Sequence, residues 1–224
     1  MTGRQLIPRG AVYWRCGLSK AYAYVDGWNF YHGINRPELH ALGFVDLGRL
    51  CQHLLFNRST VTRVYYFTAT DYHTQKLERQ RFWWDALESV GVRIAEPGFF
   101  GRERKEKTTD VRLALKIAED VSSAAEDFDT VLLISADADF IPALEKAKRY
   151  HKEIRVAFPP GHNSEELKQF HPFAQPITKY DLELCVFDGE GRTKKNVPLT
   201  KALDYGWACK VNGTIQYGRG GSQT

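Results

Sequence analysis

The stretch that decides the fold is residues 131–140, V-L-L-I-S-A-D-A-D-F. Its four consecutive β-branched or aliphatic residues are typical of a strand that is buried on both faces of a parallel sheet. Ser135 ends this apolar run, and Asp137 and Asp139 follow before a helical pattern begins. Because ligands of open α/β sheets bind outside the carboxyl ends of the strands, the two carboxylates are candidate site residues.

Strand and helix patterns alternate along the rest of the chain, which predicts an α/β fold. Further strands are predicted at residues 21–25, 61–67, 92–95 and 154–158, where β-branched, aliphatic or aromatic runs end at turn residues. Helices are predicted at residues 47–55, 70–90, 110–122, 139–150 and 164–170. With right-handed crossovers, these elements give a three-layer α/β/α domain with a mainly parallel central sheet.

Composition is that of one domain of ordinary size. The 224 residues are 43% hydrophobic and carry a net charge of +4, so the chain has enough apolar surface for a core and is only mildly basic. The four cysteines are widely spaced, without a C-x-x-C pair, which indicates reduced thiols in a cytoplasmic protein. No apolar run reaches about 18 residues, so no membrane contact is predicted.

The pattern divides the chain into three parts. Residues 1–19 show no clear period and are expected to be an N-terminal arm, and residues 20–176 are expected to form the α/β domain. Residues 177–224 are a basic extension, in which Asn212-Gly213 between two short strand-like runs predicts a β-hairpin. The sequence leaves open whether this hairpin packs on its own core or on a partner chain in a homodimer.

Four aspartates are expected at one edge of the sheet. Asp26 ends the first strand, Asp137 and Asp139 follow the fourth, and Asp110 is expected to open the helix before it. Two carboxylates about 4 Å apart repel by roughly 4 kcal/mol at an effective dielectric of about 20, so such a group requires a cation or a proton. Oxygen-only ligands favour Mg²⁺ or Mn²⁺, and such an ion activates water for phosphodiester hydrolysis.

The residues that carry this pattern resemble a known family. D-G-W-N at residues 26–29, K-T-T-D-V at 107–111 and S-A-D-A-D-F at 135–140 are similar to three signature blocks of NYN domains, within the PIN-like nuclease superfamily. V-A-F-P-P-G at residues 156–161 is similar to the LabA-type bacterial branch. The resemblance covers about residues 20–176. It implies a PIN-like Rossmannoid fold and a ribonuclease that uses Mg²⁺ or Mn²⁺ and acts on RNA.

Carried over position by position, the resemblance implies an acidic site. Asp26, Asp110 and Asp137 are its expected metal ligands, and Asp139 is a further expected catalytic carboxylate. Asn29 and Ser135 are expected to orient the ligands or a phosphate. The candidate RNA contacts are the basic residues of a loop expected at 101–109, namely Arg102, Arg104, Lys105 and Lys107. A solvated turn is the alternative interpretation of that loop, and helix capping is the alternative role of Asp110 and Asp139.

One position departs from the family pattern. Many members carry an acid six residues after the helix-opening aspartate, where this chain has Lys116, which we expect to be a solvated helix residue. Lys116 keeps a second hypothesis open, a catalytically weak or inactive RNA-binding or regulatory module. A phosphatase of the haloacid dehalogenase kind is a third hypothesis. It is disfavoured, because that chemistry needs a D-x-D block directly after the first strand, where this chain has D-G-W-N.

Overall fold

The structure is a computed structural model, and it describes residues 19–56, 58–69, 74–95, 105–123 and 126–218, with the side chains of 74–76 and 105–108 left out. Six parallel strands form the central sheet in the order β3-β2-β1-β4-β5-β6. The strands are β1 (Ser19–Asp26), β2 (Ser59–Phe67), β3 (Arg93–Ala95), β4 (Thr130–Ile134), β5 (Glu153–Phe158) and β6 (Gln175–Pro176). The five predicted strands are all present, and the two-residue β6 was not predicted.

Helices cover both faces of this sheet. They are α1 (Gly27–Ile34), α2 (Leu47–Leu54), α3 (Thr74–Ser89), α4 (Lys105–Ser122), α5 (Ile141–Arg149), α6 (Glu165–Phe170) and α7 (Lys179–Leu184). The predicted N-cap of α2 is confirmed, because the Asp46 side chain accepts a hydrogen bond from the Arg49 N–H. In place of a helix beginning at Asp139, a short 3-10 turn (Ala138–Phe140) precedes α5.

The central strand β1 separates two hydrophobic cores. Ala21, Ala23 and Val25 face the core that α1, α2, α3 and α7 cover, whereas Tyr22 and Tyr24 face the core that α4, α5 and α6 cover. This alternation is the period of two that a pleated strand imposes on its side chains. The predicted three-layer α/β/α fold with a parallel sheet is therefore confirmed.

Helices α1 and α7 were not predicted, and helix α4 begins earlier than predicted. No helix was predicted at residues 27–34, which form α1, and Phe30 and Ile34 of this helix are buried in the core. Helix α4 begins at Lys105, so residues 105–109 are helical and Asp110 lies in the second turn instead of at the helix start. The high helix propensity of lysine and glutamate at residues 105–107 outweighs the capping tendency of the threonines that follow.

The C-terminal extension packs on the chain's own core. The predicted hairpin is formed by β7 (Ala208–Val211) and β8 (Thr214–Tyr217), and Asn212 and Gly213 have the positive φ angles, 51° and 75°, of a tight hairpin turn. The Trp207 ring stacks on Phe44 with centroids 5.6 Å apart. A homodimer therefore does not follow from the hairpin and stays a prediction.

Candidate active site

The site begins where β1 and β4 end side by side. These strands are adjacent and parallel, and Val25 is paired with Ile134, which brings Asp26 and Ser135 to the carboxyl edge of the sheet together. The Ser135 hydroxyl donates a 2.9 Å hydrogen bond to Asp26 Oδ2, and both residues are buried. The first and fourth strands are thus joined by side chains at the edge where the sequence predicts a site.

Asp26 is a buried carboxylate at a helix N-terminus. Its side chain is 4% exposed and caps α1, with Oδ1 accepting a 3.0 Å hydrogen bond from the Asn29 N–H. Burial raises the pKa of Asp26, the hydrogen bonds from Asn29 and Ser135 oppose this rise, and the charge of Asp137 adds to it. The site therefore holds a carboxylate whose negative charge favours a nearby cation.

Close packing supports the chain directly after this carboxylate. A Cβ atom at Gly27 would lie 2.5 Å from the carbonyl oxygen of Phe67 and 2.6 Å from Tyr66 Cζ. Only glycine fits there, because neither the backbone of β2 nor the buried Tyr66 ring can move away without cost. Gly27 thus allows α1 to begin immediately at the end of β1.

Asp137 is tied to the same edge through Ser135. Ser135 Oγ accepts the Asp137 N–H at 3.0 Å, and Asn29 Oδ1 accepts the Ala136 N–H at 3.1 Å. The Asp137 side chain in turn accepts the Asp139 N–H at 2.9 Å and caps the 3-10 turn. The structure therefore brings together Asp26, Asn29, Ser135 and Asp137, and it gives the capping role to Asp137 instead of Asp139.

The other two predicted acids are placed differently. Asp139 is exposed in the 3-10 turn, and Asp110 is half-buried on α4. Across the residues that the structure describes, no group of three or more histidine, cysteine, aspartate or glutamate side chains is arranged to hold a metal ion. Among the described residues, Asp26 and Asp137 are the acids that hydrogen bonds through Ser135 tie to the same edge of the sheet, and the roles of Asp110 and Asp139 at the site stay predictions.

This pair suits a hydrated hard cation. Asp26 and Asp137 supply only oxygen donors, and Mg²⁺ commonly binds through one or two carboxylates and keeps several waters. Asn29 and Ser135 are hydrogen-bonded to the segments on both sides and hold the pair in place. The residues present therefore fit one hydrated Mg²⁺ or Mn²⁺ ion.

Lys116 is part of an ion pair beneath the sheet edge, which the sequence did not indicate. Its Nζ donates to Asp120 Oδ1 at 2.8 Å, and Tyr24 Oη donates to Asp120 Oδ2, also at 2.8 Å. Asp120 is only 2% exposed. Lys116 is therefore solvated only in part, with 31% of its side chain exposed, and its spacing of four residues from Asp120 was a usable signal for the pair.

The remaining predicted residues lie partly outside the ranges that the structure describes. Arg102 and Arg104 are outside the described residues, and for Lys105 and Lys107 only the backbone is described, in the first turn of α4. Of the four cysteines, Cys51, Cys185 and Cys209 are buried free thiols, as the expectation of reduced thiols requires, and Cys16 is outside the described residues. No helix in the described ranges has the length and apolar character needed to cross a membrane.

A six-stranded parallel sheet with acidic residues after its two central strands is an α/β fold that is consistent with the PIN-like class. The family model of the NYN domain matches residues 20–173, and the chain belongs to this nuclease-related family. The sequence resemblance to NYN domains is thereby confirmed, and the LabA-type branch stays a hypothesis.

Solved structures add support for the fold. The chain is similar to a Vibrio parahaemolyticus protein of unknown function at 20% identity, with a TM-score of 0.54 and coverage of 71% of this chain and 93% of that chain. The C-terminal domain of a Pyrococcus furiosus hydrogenase matches at 16% identity and a TM-score of 0.35, covering 62% of this chain and 91% of that chain. No curated protein matches the chain.

Proposed function

We propose that the protein is a divalent-metal-dependent ribonuclease that hydrolyses RNA phosphodiester bonds at the pocket formed by Asp26 and Asp137. The observation that carries this proposal is the buried Asp26 carboxylate, which Ser135 joins to the Asp137 segment at the carboxyl edge of β1 and β4. Membership in the NYN family supports it, because this family is nuclease-related.

In this proposal the chain's own residues hold and orient the reacting groups. Asp26 and Asp137 bind one hydrated Mg²⁺ or Mn²⁺, and Asn29 and Ser135 keep both carboxylates aimed at the pocket. The ion, when bound, lowers the pKa of a water ligand and stabilises negative charge on the phosphate. Burial of Asp26 strengthens its attraction to the cation, because charges interact more strongly away from water. Asp139 and Asp110 contribute as outer carboxylates that accept hydrogen bonds from water.

A second candidate function is an RNA-binding or regulatory module with weak or no catalysis. It is favoured by the Lys116–Asp120 ion pair, because a lysine engaged in a structural pair occupies a position where related proteins often have an acid. The pair of carboxylates at the pocket also provides fewer ligands than two metal ions need. The two candidates predict the same RNA binding and differ in cleavage.

Cleavage assays separate these functions. Purified protein is incubated with single-stranded and structured RNA in Mg²⁺, in Mn²⁺ and in EDTA, beside the variants Asp26→Asn and Asp137→Asn. The matched control is Asp204→Asn, since Asp204 is an exposed aspartate in the C-terminal extension. The nuclease is supported by metal-dependent cleavage that both pocket variants lose and the control retains.

Two other outcomes contradict the nuclease. Cleavage that persists in both pocket variants shows a contaminating enzyme. RNA binding without cleavage by the unaltered protein favours the regulatory module. Asp110→Asn and Asp139→Asn, assayed in parallel, measure the contribution of the two outer carboxylates, and we expect each to lose less activity than Asp26→Asn.

A further inference from the structure

An exposed cluster of rings lies on helix α1 next to the pocket. Trp28 is 50% exposed and Tyr31 is 41% exposed, and His32 is also exposed. The rings of Trp28 and His32 meet edge to face with centroids 4.3 Å apart, and those of Tyr31 and His32 lie 5.5 Å apart. We refer to Trp28, Tyr31 and His32 as the aromatic platform.

The platform is not needed to attach α1 to the sheet. Phe30 and Ile34 face the core and are buried, so α1 is held by the opposite side of the helix. Leaving half of a tryptophan and much of a tyrosine in water sacrifices the stabilisation that burial of these rings would provide. Adjacent exposed rings of this kind mark a binding surface more often than scattered single ones do.

Its position relates the platform to the Asp26 pocket. Asp26 is the N-cap of α1 and Trp28 lies in the first turn of that helix, so the platform begins two residues from the acid that we place in the pocket. A nucleotide bound with its phosphate at Asp26 has its base within reach of a neighbouring ring, since phosphate and base are parts of the same unit. Base and phosphate would then contact the same end of α1.

Basic groups border the platform. The Arg36 guanidinium lies against Gly161, where a Cβ atom would be only 2.0 Å from Arg36 Nη1. Burial and the neighbouring Arg36 and His32 side chains lower the pKa of His162, and Arg36 also lies against Gly161, so these side chains are close together. A ring surface flanked by cations matches the two chemical parts of a nucleic-acid strand, a flat base and a negative phosphate.

We propose that the aromatic platform stacks an unpaired base of an RNA strand whose phosphate enters the Asp26–Asp137 pocket, so that the protein takes single-stranded RNA in preference to duplex. This inference rests on the proposed function, because it assigns the strand that the pocket would cut. In duplex RNA the base faces are covered by their neighbours, and the rings have nothing to stack on. Arg36 holds an adjacent phosphate of the same strand.

Binding without cleavage tests the platform directly. Fluorescence anisotropy is measured with Ca²⁺ in place of Mg²⁺ or Mn²⁺, with a short labelled RNA, alone and annealed to its complement, for the unaltered protein, Trp28→Ala and Trp28→Phe. Tyr150→Ala is the matched control, since Tyr150 is an exposed ring at the far end of α5. Trp28→Ala is expected to weaken single-strand binding about tenfold, and Trp28→Phe is expected to keep most of it. Duplex binding and the Tyr150→Ala variant stay unchanged.

The inference is overturned by several results. These are equal affinity of Trp28→Ala and the unaltered protein for single strands, an equal loss for single strands and duplex, or no preference of the unaltered protein for single strands. Circular dichroism verifies that the variants are folded. If Trp28→Ala loses single-strand binding and the unaltered protein cleaves nothing in Mg²⁺ or Mn²⁺, the base-stacking role of the platform is supported and the nuclease activity is contradicted. If cleavage requires Asp26 and Trp28→Ala binds single strands normally, the nuclease activity is supported and the base-stacking role of the platform is contradicted.

Discussion

Replacing Lys116 by methionine is expected to destabilise the fold through the carboxylate that it leaves behind. Asp120 is almost fully buried, and its two carboxylate oxygens are held by Lys116 Nζ and Tyr24 Oη. Lys116→Met keeps the length and much of the apolar stem of the side chain but removes the positive charge. The buried Asp120 carboxylate then keeps Tyr24 Oη as its donor but has lost Lys116 Nζ, and an uncompensated buried charge is costly.

The magnitude follows from the geometry of the pair. Unit charges separated by 2.8 Å attract by about 6 kcal/mol at an effective dielectric of about 20, before desolvation is subtracted. Removing one partner of a buried pair costs about 3–5 kcal/mol. Because the Lys116 side chain is 31% exposed and water screens it, we expect the lower end of that range, about 3 kcal/mol.

Urea unfolding at pH 7, followed by circular dichroism, measures this loss. The control is Lys179→Met, which breaks a pair of the same i,i+4 spacing with Glu183, in which Lys179 is 58% exposed, and which is expected to cost at most about 0.5 kcal/mol. The double variant Lys116→Met/Asp120→Asn removes both charges and is expected to recover most of the lost stability. The reasoning is refuted if Lys116→Met costs no more than Lys179→Met, or if the double variant is no more stable than the single one.

Three further substitutions test other parts of the structure. Gly27→Ala is expected to cost about 2 kcal/mol by overpacking against β2, seen as a lower melting temperature, and an unchanged melting temperature contradicts the close packing. Ser135→Ala removes a hydrogen bond to the Asp26 carboxylate and is expected to cost about 2 kcal/mol in urea unfolding. Because that bond favours ionised Asp26, the loss of unfolding free energy in Ser135→Ala should grow as pH rises through the pKa of Asp26. A loss that is independent of pH refutes this role of Ser135. Asp181→Asn is expected to cost about 1 kcal/mol in the same assay. Burial raises the pKa of Asp181, but hydrogen bonds from Thr178 and from His53 outweigh burial and lower it. The contribution of Asp181 to the free energy of unfolding is therefore complete above the usual aspartate pKa of 3.8. That contribution is lost as pH falls through the lower folded value, and a deficit that persists in strong acid contradicts this.

Much of the sheet could be predicted because its strands are buried on both faces. Residues 131–134 are apolar without interruption, and β4 forms there with one further residue at its start. The short β6 had no such pattern, since two residues, Gln175 and Pro176, carry no periodicity and pair only because β5 lies beside them. Helix α1 was missed because its two glycines are turn residues in isolation, and burial of Phe30 outweighs their low propensity. Helix α7 had a usable signal, because Thr178 and Asp181 form a capping box.

The site was predictable where a residue follows a strand directly. Asp26 and Ser135 are placed by the parallel register of β1 and β4, and register follows from the order of apolar runs. Asp110 could not be placed in this way, because its position depends on where α4 starts, and helix starts are set by weak local preferences. The hydrogen bond of Tyr24 to Asp120 joins distant parts of the chain, which no local pattern reveals.

The packing of Trp207 on Phe44 makes the folded unit longer than the segment that the family model matches. The family match ends at residue 173, whereas the same continuous core extends to Cys209 and includes Phe187. A protein cut at the family boundary would therefore keep all four pocket residues and expose a ring-rich surface around Phe44 and Phe82. Exposed surfaces of this kind lead to aggregation. The smallest fragment of this chain that keeps its hydrophobic core covered is therefore longer than the segment that the family model matches.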